Sequence, residues 1–153
     1  MTEPLHPRTL VRDALREHLA ERLPDVTMRR SAVGRIRPSE YPAATVTIPA
    51  EDVSTVGSNR DRMRGVVRTM TVMVVLATVD DDAEPALDAL AARIEAAMQD
   101  RDAIRERVPF VTSVEVGGIA VEVDENDGDD AGDGAEIGFV ALRYAVECRG
   151  REA

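Results

Sequence analysis

Lysine and tryptophan are missing from this chain, cysteine occurs once, and only 3% of the residues are aromatic. Each absence removes a class of function. Without lysine there is no Schiff-base nucleophile, no phosphate-binding P-loop and no kinase-type lysine. With two Phe, two Tyr and no Trp, the chain has almost nothing on which unpaired bases could stack, which argues against a dedicated nucleic-acid reader. The lone Cys148 excludes an intramolecular disulfide and fits a reducing cytosol. No apolar stretch approaches the length of a membrane span, and the opening MTEPLHPRTLVRD contains no apolar leader core. The expectation is a soluble protein made in the cytoplasm, with no membrane partner.

What is present is aliphatic and acidic. At 153 residues and 44% hydrophobic, the chain suits one domain, 1–153, with an aliphatic core. Asp and Glu number 29 against 19 basic residues, all of them Arg, and the net charge of −10 disfavours general attachment to DNA or anionic membranes. Part of that excess is local: residues 121–136 hold eight acids (Glu122, Asp124, Glu125, Asp127, Asp129, Asp130, Asp133, Glu136) and no base. Arg in place of Lys, with abundant Ala, Val and Asp, points to a GC-rich bacterial or bacteriophage genome.

The most apolar and β-branched run is residues 62–79, RMRGVVRTMTVMVVLATV. Both alternation phases are largely apolar or Thr, so it reads as a central strand covered on both faces. Before it, residues 7–23 place Leu10, Val11, Ala14, Leu15, Leu19 and Leu23 on one helical stripe, with Pro7 in the first turn and Pro24 as the stop. Residues 26–33 read as a short strand and residues 34–42 as a loop. In residues 43–48, Ala44, Val46 and Ile48 alternate with Thr45 and Thr47 as a half-buried strand, and residues 50–61 read as a long polar connection. After the central strand, Asp80, Asp81 and Asp82 offer N-cap acids to a helix running to about Gln99, buried through Leu87, Leu90, Ala91, Ile94, Ala97 and Met98. Another turn or two follows before Pro109. Residues 111–124 form a strand with a bulge at Gly117 and Gly118, where the apolar phase shifts. A final strand over 136–148 closes a hairpin across the acidic segment. The fold class is therefore α+β: a mainly antiparallel sheet of four to five strands with two helices on one face, in the order α-β-β-β-α-β-β.

No constellation in the sequence has catalytic or metal-binding spacing. Read from Asp124 or from Asp127, the acidic segment fails the ligand positions of an EF-hand, and a solvated hairpin tip accounts for its composition. His6 and His18 are too far apart on one helix to share a metal and read as surface residues. Cys148 at a strand end reads as a packed thiol. The expectation is no enzyme, no cofactor and no metal. Two arginine rows are the candidate contact surfaces. Arg8, Arg12 and Arg16 recur every fourth residue on the first helix, beside Asp13, Glu17 and Glu21, and are either a solvated face or a subunit contact. Arg60, Arg62 and Arg64, continued by Arg68, fall at two-residue spacing and are either a solvated strand end or a charged rim for an acidic partner or for DNA in a pore.

In this order of elements the chain resembles the tail terminator, or tail completion, proteins of long-tailed bacteriophages and phage-like particles. The resemblance lies in the helix RTLVRDALREHLAERLPDV, the strand YPAATVTIP, the run RTMTVMVVLATVD, the helix AEPALDALAARIEAAM and the last strand FVALRYAVEC. It is a pattern over nearly the whole chain, without a catalytic signature, and the acidic hairpin has no counterpart in it. The resemblance implies a virion component, made in a bacterial host, that assembles as a hexameric ring. Such a ring caps the tail tube, ends its polymerisation and meets the head connector, with DNA passing nonspecifically through its lumen. Two alternatives stand beside it: another neck component, such as a connector or stopper, and a small cytosolic ligand-binding protein.

Overall fold

The computed structural model describes residues 3–30, 36–56, 65–124 and 136–151. In chain order these form α1 (Pro7–Arg22), β1 (Thr27–Arg29), a single 3-10 turn (Pro38–Glu40), β2 (Ala43–Val56) and β3 (Gly65–Asp80). Then come α2 (Ala83–Gln99), α3 (Arg101–Arg107), β4 (Val111–Asp124) and β5 (Glu136–Arg151). The five strands make one sheet in the order β1-β2-β3-β5-β4. Every pairing is antiparallel except β1 with β2. The α+β class and the central place of β3 are as the sequence implies.

The helices cover one face of this sheet. Val46 from β2, Met70, Val72, Val74 and Leu76 from β3, and Val140, Leu142, Tyr144 and Val146 from β5 all lie beneath them, with Val11, Leu15 and Leu19 from α1 and Leu87, Ile94 and Met98 from α2 in the same cluster. Each fully buried aliphatic side chain of this kind contributes about 1.5–3 kcal/mol, so this layer holds the domain together. Gly138 sets how closely α2 can approach. A Cβ there would fall 2.5 Å from Leu87 Cδ1 and 3.0 Å from Ala83 Cβ, so the first turns of α2 lie directly on the β5 backbone.

Four expectations are revised. First, β3 is not covered by helices on both faces, because no described helix lies over Val67, Met73, Val75 and Val79, which are half-buried. Second, β2 does not stop at Ile48 but continues to Val56. The register shifts between Thr47 and Ala50, so Pro49 sits at a bulge where no ladder N–H is required of it, and Ala50–Val56 extends the hairpin with β3. Third, the helical stretch after α2 is a separate helix. Asp100 ends α2 and its carboxylate then accepts from Ala103 N at 3.2 Å as the N-cap of α3. Fourth, His18 is buried, 2% exposed, and its Nε2–H donates to the Ala97 carbonyl at 2.8 Å, tying α1 to the end of α2. The expected bulge in β4 is present. The register shifts between Val116 and Gly118, and Gly118 has φ +146°, a conformation that favours glycine.

Candidate assembly surfaces

On α1, four-residue spacing brings Arg8, Arg12 and Arg16 to one side. Arg8 is exposed at the start of the helix. Arg12 Nε and Arg16 Nη1 both bond Asp13 Oδ1 at 3.3 Å, and Arg16 Nη2 donates to the Arg30 carbonyl at 3.3 Å, just after β1. Arg16 Nε is shut off from solvent without a partner. Arg12, Asp13 and Arg16, together with Glu17 and Arg30, line a cavity of about 420 Å³.

The neighbouring acidic row is paired as well. Arg107 of α3 bonds Glu17 at 3.3 Å and Glu21 at 2.5 Å. The Arg107 guanidinium holds the Glu21 carboxyl below its ordinary value, and its own pKa is raised in return. Arg22 bonds Asp100, and Arg93 of α2 grips Asp25 through both carboxylate oxygens at 2.8 and 2.5 Å. These pairs bind α1 to the rest of the helix layer. Glu17 is therefore already engaged, which leaves the cavity beside it with a positive excess.

The second arginine row is reached only at its end. Arg60, Arg62 and Arg64 lie outside the described residues. Arg68 is half-buried and bonds Glu51 across the β2–β3 hairpin at 2.5 Å. The acidic tip, residues 125–135, also lies outside them.

The opposite face of the sheet has no described helix over it. Antiparallel sheets with one solvated face ordinarily present polar residues there. Here Met73 and Val75 of β3 stand in register with Arg143 and Ala141 of β5, and Ala120 of β4 pairs with Ala141, whereas Ala77 and its β2 partner Ala43 are buried. A notch of about 140 Å³ opens at the β4 bulge among Met73, Gly118, Ala120, Ala141 and Arg143. Sequence reading missed this surface because it took the apolar odd phase of β3 as buried.

Reactive groups are turned inward. Burial pushes the Cys148 thiol up to about 11, with Glu51 adding to the effect, and the Tyr144 hydroxyl up to about 12, with Glu95 adding. Among the described residues no group of three His, Cys, Asp or Glu side chains is placed to hold a metal ion. No described helix is long and apolar enough to cross a membrane.

No family model and no curated protein matches the chain. Among solved structures, a chain from the virion of a native gene transfer agent (GTA) particle is similar to it. The two are 15% identical, the likeness covers 94% of this chain and 95% of that one, and the TM-score is 0.39. At that score the likeness decides nothing about assembly or partners.

Proposed function

We propose that this chain is a structural subunit of a phage or phage-like particle, a tail terminator that assembles as a hexameric ring on the tail tube. The ring ends tube polymerisation and forms the joint to the head connector. The observation that carries this reading is the half-buried apolar sheet face around Met73, Val75 and Ala141, over which no described helix lies. An oligomer subunit has a use for such a face. The resemblance of its helices and strands to tail terminators supplies the kind of oligomer.

Neither cavity described above supports the ligand-binding alternative. The larger is lined by charged residues, and the notch of about 140 Å³ is below the roughly 300–1,000 Å³ of a small-molecule site. The test is genetic and visual. In the particle-producing host, loss of this protein yields tail tubes of uncontrolled length without heads, as seen by electron microscopy. Tails of normal length joined to heads would overturn the assignment.

A further inference from the structure

Both edges of the sheet carry large apolar side chains in the open. Val53 of β2 is 54% exposed, and Val116 and Ile119 of β4 are 56% and 52% exposed. Among the described residues β4 has no strand on its outer side, and β1 covers β2 only over Ala43–Thr45. We propose that the outer edge of β4 pairs with the edge of β2 beyond Thr45 in a second copy of the chain, so that one sheet runs on through the assembly. The proposal rests on the ring reading and names the contact that would build the ring.

Strand direction is the first support. Because β2 with β3, β3 with β5 and β5 with β4 are all antiparallel, β2 and β4 run in opposite directions. A copy turned about an axis along the strands keeps those directions. Its β2 then meets β4 of its neighbour antiparallel, the more stable pairing, and the added strand satisfies the backbone N–H and C=O groups that an edge leaves open. The two edges differ, so the contact is heterologous, the type that closes rings.

The edges also match residue by residue. Followed through β3 and β5, Ala50 stands level with Glu115, Glu51 with Val114 and Asp52 with Ser113. Like charges directly opposite each other destabilise a strand pair. Both edges hold acids, yet at this register none opposes another, and Glu51 is already bonded to Arg68.

Both edges bend at one height as well. β2 shifts register between Thr47 and Ala50, whose partners are Met73 and Thr71, and β4 shifts between Val116 and Gly118, level with Val72 and Met73. A bulge bends its strand and increases the local twist, so two bulges at one height let the edges follow each other. A strand from an unrelated protein has no reason to share this register and bend, and a second copy has both.

Disulfide trapping tests the pairing. Within one chain β3 and β5 separate β2 from β4, a distance of about 14 Å over three strand spacings, whereas a disulfide needs Cα atoms within about 7 Å. A cross-link between these strands therefore joins two copies. The full chain is made with Asp52→Cys and Ser113→Cys together and, separately, with Ala50→Cys and Glu115→Cys, leaving the buried Cys148 in place. The control joins Asp52→Cys to Ile119→Cys, positions five residues apart along the strands, or about 17 Å. Circular dichroism melts and sedimentation velocity check that each variant folds and assembles as the natural chain does. After mild oxidation the two level pairs are expected to give a ladder of more than two linked chains on a non-reducing gel, and the control none. No ladder from either level pair in a folded, assembled variant would overturn the edge pairing and leave the ring reading standing. A ladder as strong in the control would reflect random collision and would also overturn the pairing. A natural chain that stays single at every concentration would overturn both.

Discussion

Single residues set the tolerances of the helix layer. Gly138 is the tightest, since any side chain there meets Leu87 and Ala83. Gly138→Ala is expected to cost about 1–3 kcal/mol, the usual range for overpacking, read as a lowered denaturant midpoint with an unchanged slope. A loss below about 0.5 kcal/mol, the range of a neutral surface change, would show that α2 can lift without penalty. This constraint was not legible in the sequence, because a glycine in an apolar strand reads equally as a bulge. His18 was misread for a different reason. It sits three residues after Leu15 and seven after Val11, on the buried stripe, and its polarity hid that position. Cys148 was read correctly as packed, from its place in the alternation of β5.

At the scale of elements, helix and strand identity was legible wherever the apolar period was strong, as in α1, α2, β3 and β5. It failed where one residue type carried the decision. Pro49 was read as a strand end, yet a bulge absorbs it and β2 runs on to Val56. The end of α2 at Gln99 was legible, but the role of Asp100, which closes α2 and caps α3, was not. The ion pairs joining α1 to α2 and α3 depend on tertiary placement and have no signature in sequence.

One of these pairs gives a pH prediction. The hydrogen bonds from Arg93 lower the Asp25 carboxyl from its ordinary 3.8 to about 2. A depressed carboxylate stabilises the fold above its unfolded value, and that contribution is lost as the pH falls through the folded one. The window here is from about pH 4 down to about pH 2, and the effect is small because both partners are largely exposed. An NMR titration of Asp25 is expected to show a midpoint near 2 that returns towards 3.8 in Arg93→Ala. An unchanged midpoint in that variant would assign the shift to the backbone of the turn.

For the molecule as a whole, the fold class was legible in the sequence, but not the surface by which the protein would assemble. A run that is apolar in both phases looks the same whether its second face is covered by a helix of its own chain or by another chain. In this structure all the described helices lie on one side, and Met73, Val75 and Ala141 are left half-buried on the other. The ring reading turns on what covers that face. Its most direct test is the solution mass of the purified full chain across a range of concentrations, by sedimentation equilibrium. The account predicts a closed hexamer with concentration-independent stoichiometry, whereas a single-chain mass at every concentration would contradict it.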